Sequence, residues 1–233
     1  MTRDITSNLD AVPLLASLTQ GERDQLARQC RFKRYSVGEH IIDGQSDSRD
    51  VYFIVEGTVR VVNYSLSGRE VTLDDVSSGG YFGELAAIDG GRRSAFVMPQ
   101  GGDAVAASMP HTVFLNLLAS KPALALHIMQ RLAQMVRQSS ERIMDLSTLG
   151  ANNRIHAELL RQARAASTTG RTAVITPIPI HGDIASRVST TRETVARVLN
   201  DLARSRIVER KKDALIVHDI DQLATMVDDV RGG

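Results

Sequence analysis

Asp183-Ile184-Ala185-Ser186-Arg187-Val188-Ser189-Thr190-Thr191-Arg192-Glu193-Thr194-Val195-Ala196-Arg197-Val198-Leu199 reads as two short amphipathic helices in quick succession. Ile184 and Val188 are apolar at i, i+4 on the first, and Val195, Val198, Leu199 and Leu202 form the stripe of the second. With helices expected over 182–188 and 190–204, only about two residues separate them, which forces a sharp angle and a small shared core. Thr190 and Glu193 have the spacing of a capping box that would start the second helix. Burying its stripe leaves Arg192, Glu193 and Arg197 projecting from the N-terminal half, the end from which recognition helices reach base edges. Arginine can grip guanine O6 and N7 with two nitrogens, and glutamate can accept from cytosine N4. Arg187, Thr191, Lys211 and Lys212 are suited to hold phosphates.

The surroundings support a polyanion partner. Residues 151–212 hold 12 basic and 5 acidic side chains, net +7, against net −2 for 1–150 and net −4 for 213–233. Ile207–Arg210 and Ala214–Val217 flank Lys212-Asp213 as a β-hairpin wing. Upstream lie a helix from Arg154 to about Ala166, a polar loop over 167–171, and short runs at Val174-Ile175 and Ile178-Pro179-Ile180. Double-stranded DNA is the implied partner.

Before this block the pattern differs. Residues 10–30 read as helical, with Leu14, Leu15 and Leu18 as an apolar start and Thr19 and Glu22 in a capping box. From about Phe32 to Leu117 come short β-type runs punctuated by glycine: Val51–Val55 and Thr58–Tyr64 around Glu56-Gly57, then Glu70–Leu73 and Tyr81-Phe82. That spacing indicates an all-β sandwich or barrel. Cys30 is the single cysteine, so one chain can form neither a disulfide nor a cysteine-based metal cluster. No run approaches the length of a membrane span, the N-terminus lacks a signal peptide's apolar core, and a cytoplasmic location is expected.

From Lys121 the pattern is helical for more than 20 residues, with Pro122 suited to the first turn. Ala125, Ile128, Leu132, Met135, Ser139, Arg142 and Leu146 form a heptad seam, and a second row, Met129, Leu132, Val136 and Ile143, can pack on the β-domain. Two faces to bury on one helix imply a partner helix, most simply in a symmetric homodimer. Gly150, Asn152 and Asn153 mark a hinge.

The run Thr191–Leu199 resembles the recognition helix of the cyclic AMP receptor protein and fumarate–nitrate regulator superfamily. That resemblance implies TGTGA-like half-sites in a palindromic operator, Arg192 and Arg197 on guanines, Glu193 on cytosine, and RNA polymerase as a further partner. Phe82-Gly83-Glu84-Leu85-Ala86 followed by Asp89-Gly90-Gly91-Arg92-Arg93-Ser94-Ala95 resembles the phosphate cassette of cyclic-nucleotide-binding β-rolls. Its residue types suit that chemistry: a guanidinium with a neighbouring hydroxyl (Arg93, Ser94) for a cyclic phosphate, a carboxylate (Glu84) for a ribose hydroxyl, and Gly83 for close backbone approach. Arg92 competes with Arg93 for the phosphate role, and a plain surface salt bridge between Glu84 and Arg93 is the structural alternative. Gly83, Glu84, Leu85, Arg93, Ser94 and Ala95 make up the expected cassette. Ser139 and Ser140 interrupt the apolar seam where the family carries a Thr-Ser pair that touches the purine, which leaves cyclic AMP against cyclic GMP open; a tolerated polar step is the alternative.

The expected architecture is α+β: a β-roll (double-stranded β-helix) domain with N-terminal helices over 1–120, a dimerisation helix and hinge over 121–149, and a winged helix-turn-helix over 150–233. The expected function is a cyclic-nucleotide-dependent transcription regulator. The six histidines show no ligand spacing, and no nucleophile–base pair or Walker-type loop appears, so neither a metal nor an enzyme is expected. The rival readings are a relative that senses redox state or a gas or needs no ligand, and a nucleotide-binding signalling subunit with no DNA role.

Overall fold

The computed structural model describes residues 8–231. The chain divides between Ala133 and Gln134 into two compact units. Among the described residues the first unit holds β1 (Arg31–Tyr35), β2 (Val51–Glu56), β3 (Thr58–Tyr64), β4 (Glu70–Ser77), β5 (Tyr81–Phe82), β6 (Phe96–Pro99) and β7 (Ala104–Met109). They form two antiparallel sheets, ordered β1-β7-β2-β5 and β4-β3-β6. Tyr52 and Ile54 of β2 face a core shared with Val59, Val76 and Val97 of the other sheet. Val51 and Phe53 point the opposite way, into a second core with Leu15, Phe114 and Ile128. A strand buried on both faces reads as an unbroken apolar run, as β2 does.

The helical layer on that second core comprises a 3₁₀ turn at Pro13–Leu15, α1 (Gln20–Arg28), α2 (Glu84–Asp89), α3 (His111–Ser120) and the start of α4 (Pro122–Thr148). The expected helical stretch over 10–30 is thus two pieces. Thr19, extended at φ −65° and ψ 160°, caps α1 in the capping box, and a capping residue cannot itself continue a helix. Cys30 is half-buried, and burial first, then the Asp50 carboxylate, pushes its thiol up to about 12. It is a packing residue rather than a reactive one.

Along α4 the two apolar rows exchange the roles expected of them. Leu124 and Ile128 are buried and Leu132 packs on the same core, whereas Met129, Val136 and Ile143 are 58–66% exposed. With Leu126 and Ala133, the exposed residues repeat at alternating steps of three and four. Helical periodicity identifies both rows but carries no information on which meets the sheet.

The second unit contains the rest of α4, α5 (Ala151–Ala165), β8 (Ser167–Thr169), β9 (Thr172–Ile175), α6 (His181–Arg187), α7 (Arg192–Arg204), β10 (Val208–Arg210), β11 (Leu215–Val217) and α8 (Ile220–Arg231). Its strands form one antiparallel sheet, β10-β11-β9-β8, so the expected wing is present and extended by a second hairpin. Residues 167–171, expected as a loop, are half of that hairpin because Ser167–Thr169 pairs with Thr172–Val174. Ile178–Ile180 forms no strand; its Ile178 N–H is taken by the Asp213 carbonyl at 3.0 Å, and Ile180 leads into α6. The acidic tail is helical: Asp219 accepts from the Gln222 N–H at 2.9 Å, and Leu223 and Val227 are buried. Among the described residues no single helix is long and apolar enough to cross a membrane.

Candidate functional site

Two sites emerge, one in each unit. In the first, β5 ends at Phe82 and the chain turns through Gly83, at φ +85°, into α2. A Cβ at Gly83 would lie 2.8 Å from Arg93 Nη1 and 2.9 Å from the Asp50 carbonyl, so both the backbone angle and the close approach require glycine. Arg93 is 7% exposed and Arg92 is exposed, so it is Arg93 that folds inward. Its Nη1 donates to the Gly83 carbonyl at 3.0 Å, and its Nη2 donates to the Asp50 carbonyl and to Ser48 Oγ, both at 2.9 Å. Nε also donates to Ser48 Oγ, at 3.2 Å. Every one of these acceptors is neutral. Burial pulls the pKa of Arg93 down from its ordinary value, as expected where charge is held without a counter-charge in contact.

Glu84 opens α2 and is 4% exposed. Burial raises its pKa, opposed by its own backbone N–H and then by Arg131. No ion pair joins Glu84 to Arg93 among the described residues, which removes the salt-bridge alternative. The cassette therefore presents a buried cation and a buried carboxyl with neutral surroundings. Ala95 is buried, Ser94 is exposed beside Arg93, and Leu85 is 37% exposed. Tyr52, stacked on Phe82 at 5.2 Å, places its ring 5.8 Å from the guanidinium carbon. The sequence reading missed Ser48, Asp50 and Tyr52, because an irregular loop before β2 carries no periodic signal. Ser139 and Ser140 belong to the second unit and are exposed; the Ser140 hydroxyl donates to the Val136 carbonyl at 3.0 Å.

In the second unit α6 and α7 share a core of Ile184, Val188, Val195, Val198 and Leu202. Four residues, 188–191, separate the helices rather than two, and Ser189 takes a left-handed conformation at φ +53°. The cap is Thr191, which accepts from the Thr194 N–H at 3.3 Å, and not Thr190, whose N–H goes to the Ala185 carbonyl at 3.0 Å. Adjacent threonines offer the same capping chemistry, and the tight turn selects the second. The expected Thr190–Glu193 box is therefore absent, and Glu193 sits in the first turn of α7.

Arg192, Glu193 and Arg197 are all exposed on α7. The backbone N–H of Glu193 itself, then the Thr191 side chain, hold its carboxyl below the usual range, so it is an acceptor at neutral pH. A Cβ at Gly182 would meet Arg192 Nε at 2.9 Å, and Arg197 Nη2 donates to Asn152 Oδ1 at 3.4 Å. Lys211 and Lys212 lie exposed at the tip of the β10–β11 hairpin, Lys211 paired with Glu209.

Arg187 departs from the phosphate-holding position expected of it. Its side chain is only 14% exposed, with Nε 3.9 Å from Glu158 Oε1. Glu158 and Asp145 are buried carboxylates that Arg161 bridges, at 2.8 Å to Asp145 Oδ2, and a buried charge draws available cations inward. Arg154, also unforeseen, donates to the carbonyls of Leu149, Val188 and Ser189 at 2.9, 2.8 and 3.1 Å, tying the end of the hinge to the turn between α6 and α7.

Residues 32–121 match the cyclic nucleotide-binding domain, and residues 153–226 match the Crp-like helix-turn-helix domain. The cAMP-activated global transcriptional regulator CRP of Pasteurella multocida is 23% identical over 190 residues, spanning 81% of this chain and 90% of that protein. A CooA mutant from Carboxydothermus hydrogenoformans superposes with a TM-score of 0.80 at 22% identity, over 94% of this chain and 96% of that one. CprK complexed with OCPA superposes with a TM-score of 0.71 at 17% identity, over 88% of this chain and 93% of that one.

Proposed function

This chain belongs to the CRP/FNR family of DNA-binding transcription regulators, and we propose that within it the protein is switched by a cyclic purine nucleotide, cyclic AMP or cyclic GMP. One observation carries the reading: Arg93 is buried with four hydrogen bonds to neutral acceptors and none to a carboxylate. A singly charged cyclic phosphate supplies the missing negative charge, with the Ser94 hydroxyl beside it, while a ribose hydroxyl donates to Glu84. Gly83, Leu85 and Ala95 shape the backbone around them. Ser139 and Ser140 read the purine. Ligand binding moves the helices about the hinge at 147–153.

The chain acts as a homodimer through the exposed row of α4. It places two copies of α7 about 34 Å apart in successive major grooves of a palindromic operator. Arg192 and Arg197 read guanines and Glu193 reads cytosine in TGTGA-like half-sites, while Thr191, Lys211 and Lys212 hold phosphates. RNA polymerase is the further partner and the cytoplasm the place of action. The protein works by binding, without catalysis and without a metal.

Calorimetry with cyclic AMP and with cyclic GMP, each with and without operator DNA, tests this. The wild type gives a saturable heat with one of the two, that nucleotide raises operator affinity, and Arg93→Ala loses both effects while remaining a folded dimer. Full nucleotide response in Arg93→Ala overturns the site. Operator binding without heat from either nucleotide would favour a different small effector, a reading that CprK complexed with OCPA on the same fold keeps specific.

A further inference from the structure

Three polar groups next to the cassette are buried with hydrogen-bonding capacity to spare. Tyr81, at the start of β5, is 3% exposed and its hydroxyl has no partner. Arg131, on α4, lays its guanidinium carbon 4.6 Å from the Tyr81 ring centroid and donates from Nη2 to the Tyr81 carbonyl at 3.3 Å; its Nε is buried without a partner. Glu84, three residues beyond Tyr81, accepts only from its own backbone N–H.

The three sense one another electrostatically. Arg131 favours, and Glu84 opposes, ionisation of Tyr81, and Arg131 outweighs Arg93 in favouring the charged form of Glu84. Asp74 of β4, 3.9 Å from Arg131 Nη2, is the further acidic group facing this cluster. Buried donors left unpaired cost about 1–3 kcal/mol each, so their retention at one spot calls for a reason.

We infer that Arg131 is a positioning residue of the ligand site: from α4 it holds β5 through Tyr81 and keeps the Glu84 carboxylate charged, so that α4 senses what Glu84 binds. The inference rests on the cyclic-nucleotide reading for the identity of the ligand, but the link between Arg131 and Glu84 exists without it. A hydroxyl donated to Glu84 competes with Arg131 for the same negative charge. Occupancy of the cassette is then transmitted to a side chain of the long helix inside the first unit itself.

The test is an NMR titration of the Glu84 carboxyl in the full chain, in the wild type, Arg131→Met and Arg131→Lys, alongside cyclic AMP and cyclic GMP affinities over the same pH range. Methionine preserves the apolar stem but not the charge. The Glu84 midpoint rises by about one pH unit in Arg131→Met, a tenfold change in proton affinity, and by much less in Arg131→Lys. The pH below which nucleotide affinity falls moves up by the same amount. An Arg131→Met midpoint equal to the wild type's overturns the proposal, as does an equal rise in both variants, which would mark a packing effect. A midpoint that moves as stated, in a wild type that binds neither nucleotide, sustains the link and overturns the ligand reading alone. Should Arg131→Met fail to fold, Arg131→Lys with Asp74→Asn decides: the midpoint must fall on removal of Asp74.

Discussion

Glu84 is held by the fold in a condition that water would not impose. Folded Glu84 binds its proton more tightly than unfolded Glu84, because burial penalises the charged form. Its contribution to stability is therefore most favourable at acid pH, declines as pH rises from the unfolded pKa towards the raised folded one, and stays diminished above it. Glu84→Gln is expected to stabilise the first unit above that window by about 1 kcal/mol while weakening ligand binding. A pH series of thermal melts checks this; equal melting curves at pH 7 would dismiss the destabilising charge. Arg93 has the same character with opposite sign, and together they describe a site whose stability is sacrificed to binding. Gly83 is the steric complement, since a side chain there would displace either Arg93 or the Asp50 carbonyl.

At the level of elements, α4 shows how one helix serves two surfaces. Leu124, Ile128 and Leu132 fasten it to the first unit, and the row Met129, Val136 and Ile143 is left to solvent. Such a row in one chain is the signature of a helix that pairs with its own copy. Val136→Glu places like charges against each other across a two-fold seam and is expected to weaken the dimer at least 100-fold, by a few kcal/mol. Sedimentation velocity at micromolar concentration distinguishes the outcomes; an undiminished dimer would move the interface elsewhere. α7 offers a parallel lesson. Its cap lies one residue later than the Thr190–Glu193 spacing suggests, yet Arg192, Glu193 and Arg197 remain exposed, because the buried stripe of Val195, Val198 and Leu202 sets which face turns outward.

For the whole molecule, charge is concentrated where a polyanion would bind. Residues 151–212 carry net +7, while the chain as a whole is only +1. DNA affinity should fall steeply with salt as counterions are released. Lys212→Ala, removing two cations from a dimer, is expected to reduce the slope of log affinity against log salt by about 2 and to weaken all sequences alike. Anisotropy titrations at several potassium chloride concentrations measure it. A slope equal to the wild type's would take Lys212 off the DNA. Turning such a regulator from 1:99 to 99:1 active requires the effector to favour the active state about 10⁴-fold, roughly 5.5 kcal/mol. A charge-assisted phosphate clamp with a base contact is of that order.

By itself the sequence determined those features whose physics is local or periodic. The two-helix spacing before the wing, the glycine-punctuated strands, the long helix from Pro122 and the Gly-Glu to Arg-Ser string all rest on backbone preferences and repeat lengths that act over a few residues. Which row of α4 met the sheet, which threonine capped α7, that Arg187 turned inward to Glu158, and that Ser48, Asp50 and Arg131 gathered around Arg93 and Glu84 were decided by the tertiary structure. Those choices depend on burial and on charges brought together from distant parts of the chain, and neither is written in the neighbours of any one residue.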